Sequence, residues 1–283
     1  MLAYVNGAIL PQEEATVSIL DRGFLLGDGV YEFVRYFDGV GAALDLHEAR
    51  LARSLRLARI EGFDARELGR IGSALLAANN LRDGGIYLQV TRGRGPGRVH
   101  MPTPGLVPTV VALATPSAPL SEFTRPEPMR AIVRPDMRWH HCAIKTISLA
   151  GNVLALMEAQ AAGVDECILV RDGFVGEGAY TNVAVVHDGA VATCPLDDDA
   201  SPVLHGTMRA WMVQAAQSAG VPLEVRRVRA QELESAQEVL VLSSRRLVSG
   251  VVELDGRPVG DGNVGPVCHR LFAGMRALLT GAR

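Results

Sequence analysis

The chain is almost without lysine. Its 283 residues include 28 basic side chains, and every one except Lys145 is an arginine. A codon bias towards arginine is sufficient to produce such scarcity, because arginine replaces lysine at most exposed sites. It cannot replace a lysine whose neutral amine must attack a carbonyl. The surviving lysine is therefore the first candidate for chemistry. Cysteine is scarce too. Cys142, Cys167, Cys194 and Cys268 lie far apart and form no Cys-x-x-Cys. That pattern argues against a disulfide framework or a structural zinc site, and for reduced thiols in a cytoplasmic protein. Nothing in the spacing of His, Cys or acidic residues suggests a metal, since His140-His141-Cys142 is too contiguous to converge on one ion. No apolar run approaches the roughly 18 residues that span a bilayer. The start, Met1 to Gly7, lacks the basic-then-apolar pattern of a secretion signal. Excess positive charge is missing as well: the net charge is −3, which gives nucleic acid or an anionic membrane no electrostatic attraction.

What is present is enough apolar residue for a large core, 48% of the chain, and length enough for two domains. Asx-Gly pairs between apolar runs mark hairpins, since type I′ turns need positive φ at both central residues. They occur at Asn6-Gly7, Asp38-Gly39, Asp172-Gly173, Asp188-Gly189 and Asp255-Gly256. So many hairpins predict mainly antiparallel sheet. Between them, a helix is expected from a capping box at Asp45 and Glu48, with Leu51, Leu55 and Ala58 on one face and Gly62 at its end. Further helices are expected over 66–78, 149–162, 208–219 and 267–279. Pro116, Pro119, Pro126 and Pro128 punctuate the best linker. The expected layout is an α+β N-terminal domain (1–115), a linker (116–127) and a larger β-rich C-terminal domain with helices (128–283).

Several segments could carry chemistry. Lys145 lies in Ala143-Ile144-Lys145-Thr146-Ile147, an apolar, strand-like stretch before a helix; a lysine snorkelling from a strand end has the same sequence. Glu177, flanked by Gly176 and Gly178, lets backbone approach closely and could pair with a ring nitrogen, though a solvated strand end reads the same way. Gly206-Thr207-Met208 opens a helix, whose free N–H groups suit a phosphate. Ser243-Ser244 follows an apolar strand and could add a hydroxyl; Arg50 could add charge. Arg92 to His100 is a basic, glycine-rich loop. It could present Arg98 and His100 to a small carboxylate, or be a solvated turn. It lacks the interleaved aromatics expected of a nucleic-acid contact.

Taken in order, these segments resemble the fold type IV pyridoxal-phosphate enzymes, a group that includes branched-chain aminotransferases, D-amino acid aminotransferases and aminodeoxychorismate lyase. The likeness runs from Tyr4 to about Leu271. It rests on Asp21-Arg22-Gly23 through Gly27-Asp28-Gly29-Val30-Tyr31-Glu32, on His47-Glu48-Ala49-Arg50-Leu51, on Ile144-Lys145-Thr146, on Glu177-Gly178 with Asn182, and on Gly206-Thr207-Met208-Arg209. Within the group it is most similar to D-amino acid aminotransferases. The resemblance implies a two-domain α+β fold, with a small N-terminal domain and a larger β-barrel-like C-terminal domain. It implies pyridoxal 5′-phosphate held by Lys145 as a Schiff base, with Glu177 on the pyridine nitrogen. Arg50, the N–H groups of Thr207 and Met208, and Ser244 then take the phosphate. Tyr31, Arg98 and His100 trap the substrate carboxylate, with Arg138 nearby. In this group the loop bearing Arg98 and His100 reaches over from the neighbouring subunit, which implies a homodimer. The reaction implied is transamination between a D-amino acid such as D-alanine and a 2-oxo acid such as 2-oxoglutarate. Branched-chain L-amino acid transamination is the nearest alternative, followed by aminodeoxychorismate lyase and amine transamination. Three departures bear on the substrate: Met208 where a threonine is common, Ala179-Tyr180-Thr181 in place of a serine-rich stretch, and Arg245-Arg246 in a segment that is otherwise small and polar.

Overall fold

Five Asx-Gly pairs set the local chain reversals. Asn6, Asp38, Asp172, Asp188 and Asp255 take left-handed backbone with φ from 46° to 50°, and the glycine after each has φ between 74° and 100°. Each pair joins two antiparallel strands. The structure is a computed structural model and describes residues 1–197 and 202–281. The chain forms two units. One comprises Met1–Phe123 with Ile144–Leu149, the other Thr124–Ala143 with Ala150–Arg283. The division thus falls within the stretch read as a linker, and the short segment bearing Lys145 belongs with the first unit, not with residues 128–283.

The first unit contains β1 (Leu2–Val5), β2 (Ala8–Pro11), α1 (Arg22–Leu26), β3 (Gly29–Phe37), β4 (Val40–Gly41), α2 (Leu44–Ala58), α3 (Glu67–Ala78), β5 (Gly84–Thr91) and β6 (Thr109–Pro116). Its sheet is antiparallel throughout, in the order β2-β1-β6-β5-β3-β4. The inward residues alternate along the strands, Val30, Val34 and Tyr36 on β3 and Ile86, Leu88 and Val90 on β5. They meet Leu51 and Leu55 of α2 and Leu68, Ile71 and Leu75 of α3, spaced as helix faces require. The expected capping box is not formed. The N-cap of α2 is Ala43, at φ 50°, with no side-chain cap, and Asp45 lies inside the first turn. Glu48 faces α3 instead, where its Oε1 would lie 3.0 Å from a Cβ placed on Gly69. Nor does Gly62 end the helix. Arg59 does so in left-handed backbone, while the Ile60 N–H reaches Leu55 O and the buried Ile60 side chain joins the core. That apolar contact after the last turn takes the place of a C-terminal glycine.

The second unit contains β7 (Pro128–Pro135), α4 (Ala150–Ala161), β8 (Glu166–Arg171), β9 (Phe174–Gly178), β10 (Asn182–His187), β11 (Ala190–Thr193), α5 (Thr207–Ser218), β12 (Leu223–Val225), β13 (Val228–Arg229), β14 (Glu238–Ser243), β15 (Leu247–Leu254), β16 (Arg257–Pro258) and α6 (Pro266–Gly281). Strands β10-β14-β15-β7-β8-β9 follow one another and close, because β9 also pairs with β10 through Glu177 and Asn182. These strands form the β-barrel-like unit expected for the C-terminal part. It is not purely antiparallel: β7 runs parallel to both β8 and β15, and β11 to β12. Alternate residues fill its interior, among them Met129, Ala131, Val183, Val185, Val239, Val241 and Val251. Residues of the opposite phase, Ile132, Cys167 and Leu169, pack on Ala155 and Ala159 of α4.

Candidate active site

In the first unit, alternation along β3 places Glu32 on the same buried face as Val30 and Val34. A carboxylate there loses its water, a penalty of several kcal/mol unless an opposite charge is well placed. α2 supplies it. Arg50 Nε donates to Glu32 Oε1 at 2.7 Å, Arg50 Nη2 to Oε2 at 2.8 Å, and His47 Nδ1 lies 2.7 Å from Oε2. Burial raises the Glu32 carboxyl, but the guanidinium and the imidazole outweigh it and hold the group far below the usual carboxylate range. Burial lowers His47, against the pull of Glu32, and Arg50 and Lys145 lower it further. Its ring is therefore a neutral hydrogen-bond donor to Glu32. The two-pronged contact also fixes the plane of the Arg50 guanidinium.

Lys145 is held by the same two elements. Its N–H donates to Ser54 Oγ of α2 at 3.1 Å, and its carbonyl accepts from Tyr31 N at 2.9 Å. Thr146 bridges to Val30, and Ile147 N donates to Gly29 O at 3.1 Å. The segment thus lies as an added strip beside the start of β3. The half-buried Lys145 amine stands 4.2 Å from the centroid of the Tyr31 ring. Tyr31 in turn sits 5.4 Å, centroid to centroid, from Tyr87. The structure therefore brings Tyr31, Lys145 and the Glu32–Arg50 pair onto one strand and one helix. Arg98 and His100 lie elsewhere in this unit, exposed on the loop between β5 and β6. Among the described residues, no hydrogen bond joins either side chain to Tyr31 or Lys145.

In the second unit, Glu177 is 5% exposed at the end of β9. Arg138 Nη1 donates to its Oε1 at 2.8 Å; Leu204 N and Asn182 Nδ2 donate to Oε2 at 2.8 and 3.3 Å. Burial pushes the Glu177 carboxyl up, against the opposing effects of Arg138 and the Leu204 N–H. Glu177 is thus a more basic carboxylate than an exposed one. Arg138 is itself held by Asp136, which takes Nε and Nη2 at 3.0 Å each, and Asp136 is shared with Arg171. Asn182 Nδ2 also donates to Leu204 O, and its Oδ1 occupies the space of a Cβ on Gly206, only 1.6 Å from where that atom would be. Only glycine fits there, and it is the N-cap of α5. Glu177 is thereby tied through Asn182 to the helix N-terminus whose first residues are the buried Thr207 and Met208. Ser244 lies in the turn after β14, next to Ser243, whose buried hydroxyl has no hydrogen-bond partner among the described residues. In that turn Arg246 pairs with Glu127. Tyr180, half exposed, stands in the β9–β10 turn.

Residues 29–254 match the model of the family described as Amino-transferase class IV. The chain belongs to the class IV aminotransferases. It is 38% identical over 277 residues to the D-alanine aminotransferase of Bacillus licheniformis, covering 98% of this chain and 96% of that one. Its fold is similar to the branched-chain aminotransferase of Thermoproteus uzoniensis with norvaline, at 26% identity and a TM-score of 0.88, covering 99% of this chain and 95% of that one. It is also similar to a hypothetical aminotransferase from Mycobacterium tuberculosis in its PLP-bound form, at 25% identity and a TM-score of 0.84 over the whole of both chains. Class IV aminotransferases use pyridoxal 5′-phosphate, and the donor set of this member fits it. The first unit offers a single amine beside an aromatic face. The second offers a buried carboxylate, an orphaned hydroxyl at Ser243, and a helix N-terminus with no room for a side chain at Gly206. The sequence reading of this aminotransferase missed Glu32 and His47 as partners of Arg50. A charged residue inside the apolar run Val30 to Val34, and a His and an Arg three residues apart on one helix face, were the available signals. It also missed Asp136, the anchor of Arg138, which no local pattern marks.

Proposed function

We propose that this aminotransferase uses pyridoxal 5′-phosphate to move an amino group from a D-amino acid such as D-alanine to a 2-oxo acid such as 2-oxoglutarate. One observation carries the reading: the sole lysine is pinned by its backbone to β3 and α2, with its amine on the Tyr31 ring. The likeness to a D-alanine aminotransferase supports the choice of substrate. When bound, the cofactor supplies an electrophilic carbon and a ring that withdraws electrons from the substrate α-carbon. With the cofactor bound, Lys145 Nζ would take the proton from that carbon and deliver it to the carbon that receives the amino group, a task that requires one group to act as base and then as acid. The raised basicity of Glu177 suits a carboxylate that keeps a ring nitrogen protonated, and Arg138 sets its position. Arg50, the N–H groups of Thr207 and Met208, and Ser244 hold the phosphate, with Ser243 an additional donor. Tyr31, Arg98 and His100 hold the substrate carboxylate.

The reading includes a cytoplasmic homodimer in which Arg98 and His100 serve the neighbouring subunit. Their exposure supports this, as do the exposed apolar side chains of Ile19, Phe24, Met101 and Val107 on the same unit. Four buried thiols without disulfides suit a reducing compartment. Among the described residues, no helix is long and apolar enough to cross a membrane. A branched-chain L-specific activity is the second reading, favoured by the likeness to the archaeal enzyme. Turnover of D-alanine and of L-leucine, each with 2-oxoglutarate, separates the two. We expect D-alanine to be faster. Faster L-leucine turnover selects the second reading, and pyruvate release from aminodeoxychorismate without an acceptor overturns both.

A further inference from the structure

Arg22 opens α1 and is 4% exposed. Its guanidinium is committed on three sides. Nε donates to Asp28 Oδ2 at 2.7 Å, Nη1 to Val99 O at 2.6 Å and Nη2 to His100 O at 2.8 Å. One planar fork therefore holds two successive backbone carbonyls in the segment that bears Arg98 and His100. Its own N–H donates to Gly93 O at 3.0 Å, where the loop leaves β5. Asp28 is the second node. Arg92 Nε and Nη2 meet its carboxylate at 2.8 and 2.9 Å, and it stands three residues before Tyr31. The loop is also anchored at Gly93, at φ 97°, where a Cβ would lie 1.9 Å from Val107 O. The backbone of Val99 and His100 is thus fixed from inside, while the side chains of Arg98 and His100 stay exposed.

We propose that Arg22 is a positioning residue for recognition of the substrate carboxylate. It locks the Arg98–His100 backbone and, through Asp28, ties it to the start of β3, the strand that bears Tyr31. An exposed loop left to wander must be ordered each time a ligand binds, and that ordering subtracts from affinity. Arg22 orders it beforehand. The inference rests on the reading of Arg98 and His100 as carboxylate ligands.

Arg22→Lys in the holoenzyme is the test. An ammonium keeps a cation beside Asp28 but cannot address two carbonyls in one plane. With 2-oxoglutarate as acceptor, KM for D-alanine should rise about tenfold, equivalent to ~1.4 kcal/mol, while kcat changes less than about twofold. Competitive inhibition by propionate should weaken in parallel, and trypsin should cut after Arg98 faster. The single-turnover rate with ethylamine, which lacks the carboxylate, should not change. Asp28→Asn should give the same pattern more weakly, and serves if Arg22→Lys does not fold. Unchanged KM and propionate inhibition, or equal losses with D-alanine and ethylamine, overturn the proposal. Arg98→Ala separates the two levels. If it raises KM for D-alanine and Arg22→Lys does not, this inference alone fails; if it leaves KM unchanged, the carboxylate reading fails and takes this inference with it.

Discussion

Two fully buried carboxylates, one in each unit, behave in opposite ways. Glu32 and Glu166 are both 0% exposed, and both accept several short hydrogen bonds. Glu32 is met by Arg50 and His47 and is pushed far down. Glu166 is met only by neutral donors: Thr181 Oγ1 at 2.7 Å, Cys167 N at 2.8 Å and Ala179 N at 3.0 Å. Burial pushes it up to about 7. The charge of the partner, not the number of hydrogen bonds, decides whether a dry carboxyl stays ionised. Glu177 shares features of both, with one guanidinium and two neutral donors, and burial pushes it up against the pull of Arg138. The first unit thus holds a permanent ion pair behind Tyr31, and the second holds, at the start of β8, a carboxyl poised near neutrality that accepts from the β9–β10 turn.

The comparison breaks most visibly if Arg50 is removed. Arg50→Met leaves the Glu32 charge dry, with only a neutral imidazole beside it. We expect a loss of about 3–5 kcal/mol in urea unfolding at pH 7. A loss under about 1 kcal/mol would show that Glu32 does not need its cation. A smaller effect, and one of opposite sign with pH, belongs to Glu166. Its proton is held more tightly in the folded state, about 7 against a reference of 4.5. Its stabilising contribution is complete below about pH 4.5 and disappears as pH rises through 7, because the charged form must then be buried. Glu166→Gln cannot titrate. Relative to the parent chain it should gain on the order of 3 kcal/mol between pH 4.5 and pH 8, as a ceiling set by that shift. Parallel stability–pH curves for the two proteins would remove the contrast.

Much of the fold was legible because its turns are chemically explicit. Positive φ at two successive residues is a demand that Asn-Gly and Asp-Gly meet, so all five hairpins could be read directly. Helix ends were less legible. Arg59 closes α2 in left-handed backbone because Ile60 packs into the core, a tertiary contact that outweighs the preference for glycine. The parallel pairing of β7 with β15 joins residues about Met129 and Val251 and leaves no local trace. The site followed the same division. Lys145, Glu177 and the Gly206 helix start were singled out as candidates by scarcity, flanking glycines and the start of a helical pattern. The supports were not. Arg22 on the Val99 and His100 carbonyls, and Asp136 beneath Arg138, are contacts between segments far apart in sequence or within an irregular loop. Tyr180 and the Arg245-Arg246 segment occupy the β9–β10 and β14–β15 turns, and Arg246 is drawn to Glu127.

The scarcity of lysine makes the central assignment unusually easy to examine. Borohydride reduction of the holoenzyme, followed by intact-protein and peptide mass spectrometry, reports which amine carries the cofactor. The account predicts one equivalent of reduced cofactor on the peptide containing Lys145, and none in Lys145→Arg. An adduct on the N-terminal amine alone, or an active holoenzyme that acquires no covalent cofactor on reduction, would contradict it.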